Sequence, residues 1–196
     1  TLTTEQQIRL NESLQRLERG ESFPYILGRW EFFGLDFDVS PDVLIPRPET
    51  ELLVEKAIVW LQKSPVRRTL VEVGTGSGAI AVSLAVNIPD AKILATDISP
   101  KALQVAKQNA IKHHVINQID FIACDLLPTQ SEIQNRQSHI VNRQSSMDLL
   151  CANLPYIPTK TLSQLPVFGR EPTVALDGGE DGLELFRRLF NIAPAW

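Results

Sequence analysis

Cysteine is scarce in this sequence: Cys124 and Cys151 are the only two in 196 residues. They form no C-x-x-C pair, and a disulfide framework in a chain of this length would use more of them. Both therefore read as small buried apolar side chains. The three histidines, His113, His114 and His139, match no metal-ligand spacing, so no metal is expected. The first two fall at the end of a helical pattern, where they favour the helix dipole. No run of about 18 apolar residues exists to span a bilayer, and the opening TLTTEQQIRLNE lacks the basic-then-apolar order of a secretory signal. The expectation is a cytoplasmic protein with no membrane partner. An excess of positive charge is missing too: the net charge is −4 and the basic residues are scattered. That argues against direct nucleic-acid binding. The chain opens on Thr1 rather than methionine and closes on NIAPAW, so it reads as a fragment or a processed piece.

What is present suffices for one core, with 43% hydrophobic residues, and perhaps a small appendage. Residues 4–18 carry Ile8, Leu14 and Leu17 at helical spacing, with Thr3 or Thr4 as N-cap and Gly20 as the stop. WEFFGLDFDV reads as a β-hairpin, or a strand with a tight turn, around Gly34. A helix follows from about Pro48 to Gln62, its proline in the tolerated first-turn position. From residue 69 strand and helix alternate: TLVEVG, GAIAVSLAVN, AKILATD, SPKALQVAKQNAIKHH, IDFIACD and, further on, MDLLCAN. Such alternation implies a parallel sheet wound by right-handed crossovers, with the four strands in the order 3-2-1-4 and the fourth at an open edge. Between the last two strands lies a polar stretch, 129–146, in which NRQS occurs twice. It reads as a flexible surface insertion.

Two motifs carry chemistry. In VEVGTGSGAI, Glu72 stands near the end of a strand, and Gly74, Thr75, Gly76, Ser77 and Gly78 lead into a helix. Glycines let a ligand lie against the backbone, and the helix start offers free amides. The alternative is a tight strand-to-helix turn of any α/β domain. Asp97, about 20 residues on, stands where an acidic side chain in such folds accepts hydrogen bonds from ribose hydroxyls. Asp125 could be a ligand contact or a turn cap. The second motif, NLPYIP, ends the fourth strand at the carboxyl edge of the sheet, where ligands bind in open α/β folds. Pro155 stiffens the backbone there. Read structurally, Asn153 caps a turn and Tyr156 packs in the core.

The spacing E-x-G-x-G-x-G resembles the first motif of S-adenosylmethionine-dependent methyltransferases. That resemblance implies a Rossmann-like sheet with Glu72, residues 74–78, Asp97, Asp125, Leu126 and Asn153 as the residues that bind S-adenosylmethionine: residues 74–78 facing its methionine part, Asp97 its ribose, and Asp125 with Leu126 its adenine. NLPY resembles the Asn/Asp-Pro-Pro-Tyr/Phe motif of methyltransferases that act on planar nitrogens, with Leu154 in place of the first proline. That resemblance implies that the Asn153 side-chain carbonyl and the Leu154 backbone carbonyl are two convergent acceptors that orient an NH2 group, that Tyr156 offers a flat surface, and that position 154 acts through its carbonyl alone. GRWEFFGLDFDVSPDVLIPRPETELLVE, NLPYIP and EPTVALDGGEDGLELFRRL together look like the HemK/PrmC family of release factor glutamine methyltransferases. The resemblance implies S-adenosylmethionine as cofactor, a peptide chain release factor as protein substrate, and methylation of the side-chain nitrogen of the glutamine in its Gly-Gly-Gln loop. It also implies three regions: residues 1–30 as the remnant of a helical release-factor-binding domain, 31–46 as a hairpin linker, and 47–196 as part of a methyltransferase domain. That domain's sheet would continue for three more strands, and on this reading the chain as it stands is a partial enzyme. The alternatives are a ribosomal-protein glutamine methyltransferase, an adenine amino-methyltransferase, and a non-catalytic cofactor-binding module.

Overall fold

The computed structural model of the chain describes residues 2–63, 68–129, 131–132 and 147–195. Most of the polar stretch expected at 129–146 lies outside the described residues. Two helices come first, α1 (Thr4–Glu18) and α2 (Phe23–Leu27). Thr3 caps α1 through its side chain, and Gln6 reaches back to the Thr3 amide (2.9 Å), a reciprocal arrangement that satisfies two otherwise orphaned amides. None of the residues of α1 is buried.

The hairpin pairs β1 (Arg29–Phe32) with β2 (Leu35–Asp38), and Phe32 sits opposite Leu35. Its two turn residues, Phe33 and Gly34, both have positive φ (52° and 71°), as a two-residue turn matched to strand twist requires. The Phe33 amide donates to Glu51 Oε1 (2.9 Å), fastening the turn to the start of α3 (Glu51–Lys63). The strand Arg29–Phe32 begins before residue 31, and α2 is an element that the sequence pattern did not announce.

The main sheet is parallel, in the order β5-β4-β3-β6. Its strands are β3 (Thr69–Val73), β4 (Lys92–Asp97), β5 (Ile119–Ala123) and β6 (Leu149–Ala152). This is the order 3-2-1-4 expected from the alternating pattern. Every residue of β3 is buried, because helices cover both of its faces. On one face Leu70 packs with Phe32, Phe37, Leu61 and Leu84, and on the other Val71 and Val73 pack with Leu94, Ile122 and Leu189. Helix α4 (Ala79–Asn87) is buried over its first seven residues, which explains its small, apolar composition.

Helix α5 (Pro100–Lys112), capped by Ser99, runs beside α4. Its Asn109 is fully buried. Asn109 Oδ1 accepts from the Asp38 amide (2.7 Å), and its Nδ2 donates to the carbonyls of Asp38 (3.0 Å) and Ser77 (2.8 Å). One side chain thus joins the hairpin to the glycine loop. Two short helices, α6 (Thr159–Leu162) and α7 (Glu184–Ile192), follow β6. Among the described residues, no helix is long and apolar enough to cross a membrane.

Candidate active site

At the carboxyl ends of the strands two cavities meet. The first, about 180 Å³, is lined by Gly74, Gly76, Asp97, Asp125, Leu126 and Leu154, among others. The second, about 390 Å³, is lined by Arg47, Thr50, Leu53, Asn153, Tyr156 and Leu176, among others. Asn153 and Leu154 belong to both walls.

The first cavity begins at the turn after β3. The amides of Gly74 and Thr75 both donate to the Thr96 carbonyl (2.9 Å each). The Thr96 hydroxyl, fully buried, donates to the Leu126 carbonyl (2.6 Å), with the Glu72 carbonyl (3.3 Å) a weaker second acceptor of the same hydrogen. Thr96 therefore knots three strand ends together. Leu126 is held at φ 65°, a left-handed conformation that costs a branched residue about 1–2 kcal/mol and persists only where its surroundings impose it.

Asp97 accepts from the amides of Gly76 (Oδ2, 2.8 Å) and Ser99 (Oδ1, 2.9 Å). The two carboxylate oxygens offer about four acceptor positions between them, so capacity remains for a ligand hydroxyl. Burial raises the Asp97 pKa, opposed by the backbone amides of Ser99, Gly76 and Ile98. Asp125 pairs with Arg188 of α7 across the rim of the cavity, both side chains about half exposed. No atom lies within 4 Å of the place a Gly76 Cβ would occupy, so the space beside this loop is open to a ligand.

Four other residues of the glycine motif stand behind the cavity and are not part of its lining. Glu72 is buried, and its Oε2 accepts from the Thr75 hydroxyl (2.6 Å) and the Ala81 amide (3.0 Å). Its Oε1 has no partner among the described residues. Burial pushes this carboxyl up to about 8, against the pull of the Thr75 and Ala81 bonds, and the nearby Asp97 charge adds to the rise. Glu72 braces the loop and the start of α4 from within. Thr75 and Ser77 are also buried. A Cβ on Gly78 would stand 3.1 Å from Ala106 Cβ, so this glycine lets α4 approach α5.

The NLPYIP segment leads from β6 into the second cavity. Asn153 Nδ2 donates to Thr50 Oγ1 (3.1 Å). Tyr156 is 63% exposed, a surface available to an incoming group. The Leu154 side chain is only 3% exposed, packed among Val73, Ile122 and Leu189, and its Cδ2 would lie 3.4 Å from a Cβ on Gly74. Position 154 thus does more than offer a carbonyl, since its side chain forms the floor beneath the glycine turn.

Residues 171–183 hold NLPYIP from the other side. The Ile157 amide donates to the Leu176 carbonyl (3.1 Å), and the Gly178 amide to the Ile157 carbonyl (2.9 Å). Gly182 has φ 80°, and a Cβ there would stand 2.3 Å from the Tyr156 carbonyl oxygen, a contact only glycine avoids. Glu171, buried, accepts from the Arg47 guanidinium (2.5 Å) and the Ile45 amide (3.1 Å). Thr50, Arg47, Glu171, Thr96 and Gly182 were not singled out by sequence reasoning. Arg47 and Thr50 lie in RPETE and Glu171 and Gly182 in EPTVALDGGEDGL, stretches whose only signal was resemblance.

A family model described as "Methyltransferase domain" matches residues 67–168. Among curated proteins, the chain is 41% identical over 192 residues to a release factor glutamine methyltransferase of Koribacter versatilis, covering 96% of this chain and 63% of that protein. It is 42% identical over 179 residues to the protein of that name from Moorella thermoacetica, covering 91% of this chain and 59% of the relative. A third of that name, from Coxiella burnetii, is 39% identical over 198 residues, 100% of this chain and 65% of the relative. The chain therefore spans less than two thirds of these relatives. Among solved structures, the hMettl16 catalytic domain in complex with MAT2A 3'UTR hairpin 6 superposes with a TM-score of 0.57 at 17% identity, over 83% of this chain and 58% of that one. A delta-N METTL16 MTase domain gives 0.53 at 18% identity, over 96% and 71%. At these identities the likeness concerns the fold.

Proposed function

Since the chain belongs to the methyltransferase domain family, we propose that it carries the site for methylating a glutamine side-chain nitrogen in the Gly-Gly-Gln loop of a peptide chain release factor. S-adenosylmethionine would supply an electrophilic methyl on a sulfonium. The observation that carries this reading is the common wall: Asn153 and Leu154 line both cavities, so a group held in one lies next to a group held in the other. The names of the relatives also point to a release factor glutamine.

The residues present fit such a cofactor. Gly74 and Gly76 would hold its methionine part, the Asp97 oxygens would accept from the ribose hydroxyls, and Asp125 with Leu126 would border the adenine. At the acceptor end, an amide nitrogen is a poor nucleophile because its lone pair is delocalised into the carbonyl. The Asn153 Oδ1 and the Leu154 carbonyl would accept its two N–H groups and so aim the nitrogen at the methyl. Tyr156 would lie flat against the amide. Once methylated, the nitrogen would give up one of its two protons to solvent at the open acceptor cavity, while the Asn153 Oδ1 and the Leu154 carbonyl keep it in place. No strong base is needed beforehand, because the proton leaves after the methyl has moved. On this reading the protein works in the cytoplasm, where release factors act.

The test is incubation of the full-length protein with labelled S-adenosylmethionine and, separately, a purified release factor, a ribosomal protein and an adenine-containing duplex, followed by mass spectrometry of the acceptor. Label on the release factor glutamine supports the reading. Label only on either other acceptor, or cofactor binding with no transfer to any, overturns it.

A further inference from the structure

Asn153 can present either end of its carboxamide to the acceptor cavity, and the two ends are chemically opposite. The oxygen accepts an N–H. The NH2 end would meet an acceptor amide donor against donor and push the nitrogen away. The carboxamide needs a partner that holds it in one plane and leaves its oxygen free. That partner stands 103 positions earlier in the chain, where Thr50 Oγ1 takes the Asn153 Nδ2 hydrogen bond at 3.1 Å. We infer that Thr50 is the positioning residue that holds the Asn153 side chain by its NH2 end, leaving the oxygen to accept an N–H of the acceptor. This rests on the function proposed above and adds to it the group that keeps Asn153 in place.

Thr50 is itself held. Its amide donates to the Arg47 carbonyl (3.0 Å), closing the single turn Pro48–Thr50. Arg47 and Ile45 are both bonded to the carboxylate of Glu171, whose side chain is only 5% exposed. The segment that carries Thr50 is thus anchored by a carboxylate more than 100 positions further along the chain. Thr50 lines the acceptor cavity and is not part of the lining of the cofactor cavity. A change there should leave cofactor binding alone.

The experiment compares Thr50→Val, which replaces the hydroxyl by a methyl of similar shape, with Thr50→Ser, which restores the hydroxyl. In the full-length protein acting on a release factor, Thr50→Val should lower kcat about 10–100-fold, with KM for the release factor and Kd for the cofactor each within about twofold of the parent. Thr50→Ser should recover to within about threefold. Independently of any acceptor, the Asn153 side-chain NH2 should exchange slowly with solvent in the parent and in Thr50→Ser, and faster in Thr50→Val, by NMR. Parent turnover in Thr50→Val overturns the inference, as does equal loss in both variants or unchanged exchange. If the parent methylates no release factor, the functional reading fails by itself. The exchange comparison still decides whether Thr50 holds Asn153.

Discussion

The two cavities share a wall, and their key groups are held in opposite ways. On the side proposed for the cofactor, the glycine turn and Asp97 are held by partners close in sequence: the amides of Gly74 and Thr75 by the Thr96 carbonyl, and the Asp97 carboxylate by the amides of Gly76 and Ser99. What this stretch offers the cavity is mainly backbone, with the half-buried Asp97 as its charged group. The side proposed for the acceptor is lined by segments around residues 44–53, 153–157 and 167–176. Its key side chains are oriented by partners more than 100 positions away, Asn153 by Thr50 and Arg47 by Glu171. The glycine turn and Asp97 should therefore be robust to change elsewhere, while the acceptor groups depend on the whole fold being in register. Binding energy and turnover should separate along the same line.

The strongest test of that division is Asn153→Ala in the full-length protein. Removing the acceptor that orients the nitrogen should lower kcat by about 10²–10³-fold, roughly 2.7–4 kcal/mol in barrier. Cofactor affinity measured by calorimetry should move much less. Equal losses in both would mean that the common wall serves the cofactor first. Asp97→Ala should show the reverse, weakening cofactor binding by about 1–3 kcal/mol through loss of a charged acceptor, with kcat at saturating cofactor nearly kept. Unchanged calorimetric affinity would remove Asp97 from the site. The smallest effect is expected at the rim. Arg188→Ala breaks a half-exposed pair with Asp125, so cofactor affinity should change by no more than about 1 kcal/mol, and added salt should erase the difference.

The same contrast explains what could be read from the sequence. The glycine turn, Asp97 and the four-strand order follow from local pattern, because a strand–turn–helix unit writes its geometry into consecutive residues. NLPY stood out for the same reason. Arg47, Thr50 and Glu171 carry no local signal: a threonine in RPETE and a glutamate before a proline have many uses, and only the folded chain brings them to Asn153. Glu72 shows a subtler failure. Its place in the glycine pattern suggested contact with the ligand, but strand alternation turns it toward the α4 face, away from Val71 and Val73. Leu154 was read through its carbonyl because the pattern around it concerns backbone, whereas its side chain is buried in a cluster with Val73, Ile122 and Leu189 that only the folded chain assembles.

Asn109 draws one last consequence from the fold, concerning which residues the chain could tolerate there. The site asks for one acceptor facing the Asp38 amide and two donors facing the carbonyls of Asp38 and Ser77. Aspartate has the length but would set a second carboxylate oxygen against two carbonyls, and glutamine has the chemistry but carries an extra methylene into a space with none to spare. Leucine would leave three buried backbone groups unpaired at once. A position that looks like an ordinary polar residue on a helix is thus as narrowly specified as the glycines it faces, and any change there reaches the hairpin and the cofactor loop together.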